Sequence, residues 1–587
     1  PHGSPSGPMF RLLAPPAVLA AHVAVWRWAV RRCGDGPCVA RAATLRALGL
    51  VYAAAFATVA LSLEACFGDD GLEPVALYMQ RLGRRTGMGL GEQARRFVET
   101  PTLLWFVDSG GAAAALKALV CTGLGLSLLI VVGCSHCAVL AAVWLGFLST
   151  VNVGQRMLGY GWHPQLCEFG FLCIFLGTFA FWDTPKAHGL CPAAMWLLRW
   201  LLFRSLFEPG VGKFLGGDRS WWPDLDALTY HYFTQPCPNP LAWFMDALPA
   251  SLQVLSCIVS HLAECLLPVC LLLPLAHLRH TVACVVLLFM AVLVLTGNYA
   301  YLQYMMLAQT VPAFSDAALA SAVGVQCTSA GRTRSRVDWA IRSALGLMLA
   351  LFVLRRSVPP LSEVLGGARA ADRSYDNWHL VNGYGAFSHM TKTRPEVVIA
   401  GRTPRGWEAV EFWCKVGDPT YAPCVISPLD LPIDWSLWFV PLGSVYSHPW
   451  FFVLLDKILC GSPALGGVVR YLPLNVTEVR AEVYEYTFSS RGVDWPQVSA
   501  VARRLLAQVW ECSDRRDMPW EFLVDVVFCT AAADVGELKE VIWSSMQRHW
   551  NRPWWVRRKL KTVVPPVTRP VLEEMLQQNN LPVGCKL

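Results

Sequence analysis

The stretch LFRSLFEPGVGKFLGGDRSWWPDLDALTYHYFTQPCPNPLAW, residues 202–243, decides how the rest of the chain is read. It begins inside an apolar run, passes through glycines, aspartates and a lysine, and ends just before a second apolar run. Residues 229–240 hold two aromatics flanking a histidine, then a Gln-Pro and an Asn-Pro pair, with no run that a helix would use. Proline lacks a backbone N–H and has a fixed φ, so Pro236, Pro238 and Pro240 predict an extended path without a ladder. Gln235 and Asn239 can bond neighbouring backbone, which irregular chain near a bilayer needs unless it is wet. HYFTQPCPNP therefore reads as a rigid strap that orients the helix starting near 251 and docks a soluble domain.

Outward from the strap, the chain is mostly greasy. Of 587 residues, 54% are hydrophobic and 16% charged, well under the roughly 25% charge of a soluble domain. The net charge of +7 is scattered, with no basic stripe, which argues against nucleic acid as a partner. Apolar runs occur at about 43–66, 112–132, 136–151, 166–182, 193–208, 251–273, 280–297, 299–314 and 338–354. A crossing helix needs about 20 apolar residues, so 136–151 and 299–314 are short. About nine crossings are expected over a membrane domain at 43–354, with 209–250 as one of its loops.

Arg27, Arg31, Arg32, Arg41 and Arg46 surround the start of the first run and place the N-terminal lead-in, 1–42, in the cytoplasm. Within it, residues 9–30 fit a cleaved signal or an interfacial helix, and are read as peripheral. Nine crossings then put the loop 209–250 and everything after 354 on the lumenal side. Arg332, Arg334 and Arg336 in the last cytoplasmic loop agree, as does the glycosylation sequon at Asn475.

Residues 355–371 read as a linker rich in Pro, Gly and Ala. Beyond it, RPEVVIAGRT, GWEAVEFWC and AEVYEYTF alternate as half-buried strands do. Residues 434–459 contain Pro441 and Pro449 and predict helices packed on the sheet or lying at the membrane face. The expected fold is an α-helical polytopic membrane domain plus a C-terminal α+β domain with a small antiparallel, β-sandwich-like sheet. That domain spans 372–490 and 548–587, with a helical insertion at 491–547. The tail RPWWVRRKLKTVVPP joins aromatic rings to basic residues and reads either as a solvated face or as a contact for lipid headgroups.

Many cysteines sit inside apolar runs, where they act as small hydrophobes. Cys134 and Cys137 around His136 resemble half a metal site, but the second half is missing. No metal or cofactor is expected.

The order of motifs in 202–243 resembles the lipase maturation factors. The residues carrying the likeness are Phe203, Arg204, Gly210, Lys213, Gly217, Asp218, Trp221, His231, Tyr232, Thr234, Gln235, Pro236, Pro238, Asn239 and Pro240. DDGLEPV (69–75), VNVGQ (151–155), LCEFGFLCIFL (166–176) and Thr296-Gly297-Asn298 are similar to the same family in the same order. Further on, LVNGYGAFSHMTKTRPEVVIAG (with Asn382 and Tyr384), YEYTF and WWVRRKL (Trp554, Trp555) resemble its C-terminal domain. The resemblance implies a multipass protein of the endoplasmic reticulum that assists folding and assembly of secreted clients, such as dimeric lipases. It also implies a disulfide between Cys414 and Cys424, on the oxidising side. Residues 491–547 depart from the family pattern, leaving client identity open and marking a docking element for another partner.

Two other readings stand beside this one. Lys213, His231 and Glu264 could form an acid/base set, since the Gly-x-x-Lys region also loosely resembles vitamin K-dependent carboxylase-type membrane proteins. A lysine base needs its pKa lowered by burial. Against that, Glu264 and Glu168 lie in apolar surroundings and need cationic partners, for which Arg204 and Lys213 are the candidates, giving polar clasps between helices. The third reading is a structural subunit of a larger membrane assembly. No Gly-x-Ser-x-Gly elbow, P-loop or His-Glu-x-x-His occurs, so a lipase activity of its own is not expected.

Overall fold

The computed structural model describes residues 39–85, 87–183, 189–322, 336–367, 370–489, 504, 544 and 552–585. The N-terminal lead-in before Val39 lies outside them, as does nearly all of 491–547. The first helix, α1, spans Val39–Phe67; it is apolar on every side and carries Arg41 and Arg46 within its first turns. Helices that are greasy all round suit a bilayer or a large core rather than a water-facing surface. Then come α2 (Val75–Arg81), α3 (Leu90–Glu99), α4 (Ala112–Val131), α5 (Cys137–Val153), α6 (Trp162–Ile174) and α7 (Ala193–Leu215). The strap region folds as α8 (Ala227–Thr234) and α9 (Pro240–Asp246). It leads into α10 (Ala250–His261), which continues through a π turn at Leu262–Leu266 and a 3₁₀ turn at Leu267–Leu272. The membrane half ends with α11 (Ala276–Thr296), α12 (Leu302–Thr310), α13 (Asp316–Ala322) and α14 (Arg336–Leu365).

Five of these stretches are long and apolar enough to cross a membrane: Val39–Phe67, Ala112–Val131, Ala250–Leu272, Ala276–Thr296 and Trp339–Leu365. The chain is a multipass membrane protein. The run at 299–314 forms a nine-residue helix and a short 3₁₀ turn, Val311–Ala313, and 166–182 contributes to a 13-residue helix. At 1.5 Å rise per residue neither helix covers a hydrocarbon core of about 30 Å by itself.

Contacts sort the helix ends into two faces. On one, Arg41 Nη1 donates to the Leu176 carbonyl at 3.3 Å and Arg46 meets Asp183 at 3.2 Å. Ala40 N–H reaches Asp316, and Arg199 and Arg279 donate to the carbonyls of Pro312 and Ala313. The other face carries the loops after α1, α5, α7 and α11, and the C-terminal domain packs there.

Two expectations need correcting. Residues 229–234 are helical within α8, because the prolines begin only at 236 and leave the preceding N–H groups free to bond. The stretch read as linker at 355–371 is helix as far as Leu365, with Pro359 and Pro360 inside α14. Gly366 N–H still bonds the Ser362 carbonyl at its end.

The C-terminal domain opens with a two-residue ladder, β1 (Arg373–Ser374) against β2 (Asn382–Gly383). Its main sheet is antiparallel, in the order β4-β3-β7-β8, built from β3 (Arg394–Thr403), β4 (Gly406–Ala409), β7 (Glu478–Phe488) and β8 (Trp555–Thr568). Gly406, at φ +118°, turns the β3–β4 hairpin where a side chain would be strained. Val397 pairs Val483 and Ile399 pairs Ala481, which fixes the buried face. A second ladder joins β5 (Glu411–Phe412) to β6 (Val469–Tyr471). Helices α15 (Pro432–Phe439) and α16 (Pro449–Leu459) fill 434–459 and are buried along most of their length. The chain closes with α17 (Arg569–Gln578). One continuous core runs from Tyr52 and Phe56 of α1 through Trp435 and Phe451 to Val397 and Val479 of the sheet.

Candidate functional site

Most of the residues singled out in the sequence meet at the seam between the membrane helices and the C-terminal domain, in three clusters.

The first is centred on Glu168 of α6 and Arg204 of α7, which form an ion pair with no solvent exposure. Arg204 Nη1 also donates to the Asn382 carbonyl at 2.7 Å and lies 3.6 Å from Glu208. Glu168 Oε2 accepts from Asn382 N at 2.9 Å and from the Tyr384 hydroxyl at 2.7 Å, while Glu208 accepts from Tyr384 N at 2.8 Å. The membrane helices supply the charges, and β2 with the following Tyr384 supplies backbone and hydroxyl. Deleting one member of such a set strands buried charge, at a cost of about 3–5 kcal/mol.

The second joins Lys213 of α7 to Glu264 in the π turn after α10. Lys213 Nζ sits 4.2 Å from the centre of the Trp221 ring, whose indole N–H donates to the Phe387 carbonyl at 3.1 Å. Gly210 makes the approach possible: a Cβ there would lie 2.8 Å from that of Glu264. His261 Nε2 bonds the Trp221 carbonyl at 3.1 Å. Asp218 accepts from Met390 N at 2.7 Å and faces His389 at 3.0 Å.

His231 is buried in α8, its Nε2 2.8 Å from the Tyr299 hydroxyl. Burial, with the Lys213 charge adding to it, lowers its pKa to about 3, so the imidazole is neutral and a weak base. A cavity of about 60 Å³ touches Glu264, Tyr384, Gln165 and Asp372, but neither Lys213 nor His231 lines it. That space suits a water or two rather than an organic substrate. Lys213, His231 and Glu264 are thus set as two separate packing contacts, an ion pair and a His–Tyr pair.

The third cluster is the strap itself. Arg394 of β3, fully buried, donates to the carbonyls of Phe233 and Pro236 at 2.9 Å each and to that of Gln235. Its guanidinium is held by Glu396 at 2.6 Å, which Lys415 approaches at 2.9 Å. From the membrane side, Gln235 and Asn239 donate to the carbonyls of Thr296 and Leu295 at the end of α11. Asn239 also caps α9 by accepting from Ala242 N at 2.9 Å, with Pro240 at the first helical position. Asn298 stitches all three parts: its Nδ2 reaches the carbonyls of Cys237 and Cys424, and its Oδ1 accepts from Ile426 N at 3.1 Å. Trp243 and Trp554 meet edge to face at 5.6 Å within an aromatic core that includes Trp221, Trp555 and Tyr486.

Arg394, Glu396, Lys415 and the bridging part of Asn298 were not singled out by sequence reasoning. The one available signal was Arg394 and Glu396 two apart on a strand, hence on one face.

Cys414 and Cys424 form a disulfide, Cα atoms 5.1 Å apart, and Asp434 accepts from Cys414 N at 2.6 Å and Lys415 N at 2.9 Å. Burial pushes the Asp434 carboxyl up to about 6 and that of nearby Asp430 up to about 7. A second disulfide, Cys460 to Cys585, ties α16 to the chain's end across 125 residues. Asn475 is exposed in the β6–β7 loop. His136 Nδ1 caps α5 by accepting from Ala138 N, and no group of three metal-ligating side chains occurs among the described residues.

Comparison with known proteins gives a consistent result. A family model described as Lipase maturation factor transmembrane domain matches residues 39–321, and one described as Lipase maturation factor C-terminal domain matches 380–511. The second match extends into the segment read as an insertion. Lipase maturation factor 1 of Bos taurus is 32% identical over 482 residues, covering 77% of this chain and 84% of its own. Lipase maturation factor 1 of Homo sapiens is 31% identical over 485 residues, covering 77% and 83%. Lipase maturation factor 2 of Mus musculus is 27% identical over 571 residues, covering 76% and 80%. No solved structure matches.

Proposed function

The chain belongs to the lipase maturation factor family, and from that premise we propose that it is a non-catalytic folding factor of the endoplasmic-reticulum membrane. Its clients are secreted proteins, dimeric lipases foremost, and its C-terminal domain faces the lumen. The family match carries the reading. The geometry supports the non-catalytic part: Lys213 is taken up by Glu264 and Trp221, and His231 by Tyr299.

Orientation rests on three observations. Two disulfides lie in the C-terminal domain, which suits an oxidising compartment. Arg41, Arg46, Arg199 and Arg279 gather on the opposite face, as the positive-inside preference favours for the cytoplasm. The membrane domain also begins on the face of Arg41 and ends beside the C-terminal domain, where Arg356 of α14 pairs with Asp376 at 3.0 Å. On that lumenal domain Trp413, Tyr421 and Tyr471 are exposed beside the Cys414–Cys424 loop, with Arg470 stacked 3.9 Å from the Tyr421 ring centre. Such aromatics offer transient cover to a partly folded client. Asn475 is the glycosylation site of this domain.

The test is expression of the full chain in cells lacking their own factor, reading the activity of a client lipase in the medium. Restored activity supports the reading. Unchanged secretion with the protein in the endoplasmic reticulum contradicts it.

A further inference from the structure

Helix α3 and the 3₁₀ turn that follows it, Leu103–Phe106, belong to the segment between α1 and α4, two helices able to cross the membrane. The chain leaves the first at Phe67 and enters the second at Ala112. Contacts hold the segment just after α3 against the last turns of α5: Ser149 accepts from Leu103 N at 3.1 Å and Asn152 donates to the Pro101 carbonyl at 3.0 Å. Asn377 and Trp378 of the C-terminal domain donate to the carbonyls of Glu99 and Val98, pinning the helix end from above.

At 100° per residue, Leu90, Ala94, Phe97 and Val98 share one side of α3, and Glu92, Arg95, Arg96 and Glu99 the other. Phe97 packs on Phe106 and Trp378, but Leu90 is 77% exposed, Val98 66% and Phe106 46%. The stretch is therefore amphipathic, uncovered on its apolar side, and tied to the end of the apolar helix α5.

We propose that α3 lies in the lipid headgroup layer on the face that carries the C-terminal domain, with Leu90, Val98 and Phe106 inserted among acyl-chain ends. The occupant of the apolar side is the bilayer, because chain continuity with α1 and α4 and the ties to α5 keep the helix at that surface. A short amphipathic helix in the plane of the interface buries its apolar side in this way. Through Trp378 and Asn377, the same helix links the bilayer surface to the C-terminal domain.

The experiment uses the full chain in phosphatidylcholine proteoliposomes, with an environment-sensitive fluorophore on Leu90→Cys, Val98→Cys or Glu92→Cys and the labelled parent as background. Lipids carrying a nitroxide near the glycerol level are the quencher. Positions 90 and 98 should show blue-shifted emission and at least about threefold more quenching than position 92. Equal quenching at all three with water-like emission overturns the proposal. Blue-shifted emission at 90 and 98 without lipid quenching also overturns it, since a second copy of the chain then covers the face. If Leu90→Cys fails to fold, Ala94→Cys on the same side gives the same readout.

Discussion

Arg394 binds the carbonyls of Phe233, Gln235 and Pro236 with one guanidinium, so a proline-rich segment that cannot build its own ladder is satisfied from another domain. Arg394→Ala leaves those carbonyls buried without their donor and Glu396 with Lys415 alone. Unfolding in detergent should then show a loss of about 3–5 kcal/mol. Arg394→Lys should recover only part of it, because an ammonium cannot reproduce the fork. Asp430 gives a pH dependence of known sign. Its carboxyl, raised by burial to about 7, binds a proton in the folded state between roughly pH 4 and 7 that the unfolded chain does not. Stability from this group is therefore greatest at low pH and falls as pH rises through 7. Asp430→Asn should gain on the parent by up to about 4 kcal/mol on going from pH 4 to pH 7.5, read as the difference in thermal midpoints. A constant difference across that range would rule out the burial argument for this residue.

At the scale of elements, what could be read from the sequence was what is local. Apolar runs became helices, alternating segments became β3, β4 and β7, and the prolines at 441 and 449 divided α15 from α16. The strap's own contacts were partly legible because proline and asparagine chemistry is local: Asn239 caps α9 as its position before Pro240 suggests. What was not legible depended on partners far away in the chain. Arg394 is an ordinary strand residue until the strap lies on it, and Asn298 an ordinary helix end until Ile426 arrives. The Cys460–Cys585 bridge spans 125 residues and carries no spacing signal. Its removal, as Cys460→Ser with Cys585→Ser, should cost about 2–4 kcal/mol and free α17 for protease. Lys457, which donates to the Gly584 carbonyl and Asp70, should then lose its grip on the tail. Unchanged cleavage of α17 would show that its packing, not the bridge, holds it.

For the whole molecule, the seam makes the membrane helices and the C-terminal domain one core, with buried charges from α6 and α7 satisfied by β2 and Tyr384, some 200 residues later. Under the proposed folding role, this arrangement would hold the C-terminal domain at the membrane surface while its outer face stays open to clients. Lys213 and Glu264, the residues an enzymatic reading would use, are paired with each other, with the Trp221 ring against the lysine. Replacing both members of a buried ion pair with apolar residues of similar volume is often neutral for stability. The most direct measurement is thus the client lipase activity secreted by factor-deficient cells carrying the parent chain or its Lys213→Met, Glu264→Leu double variant. A folding factor predicts equal rescue by both at equal protein level. Rescue by the parent with loss in a double variant that folds and localises normally would contradict a non-catalytic function.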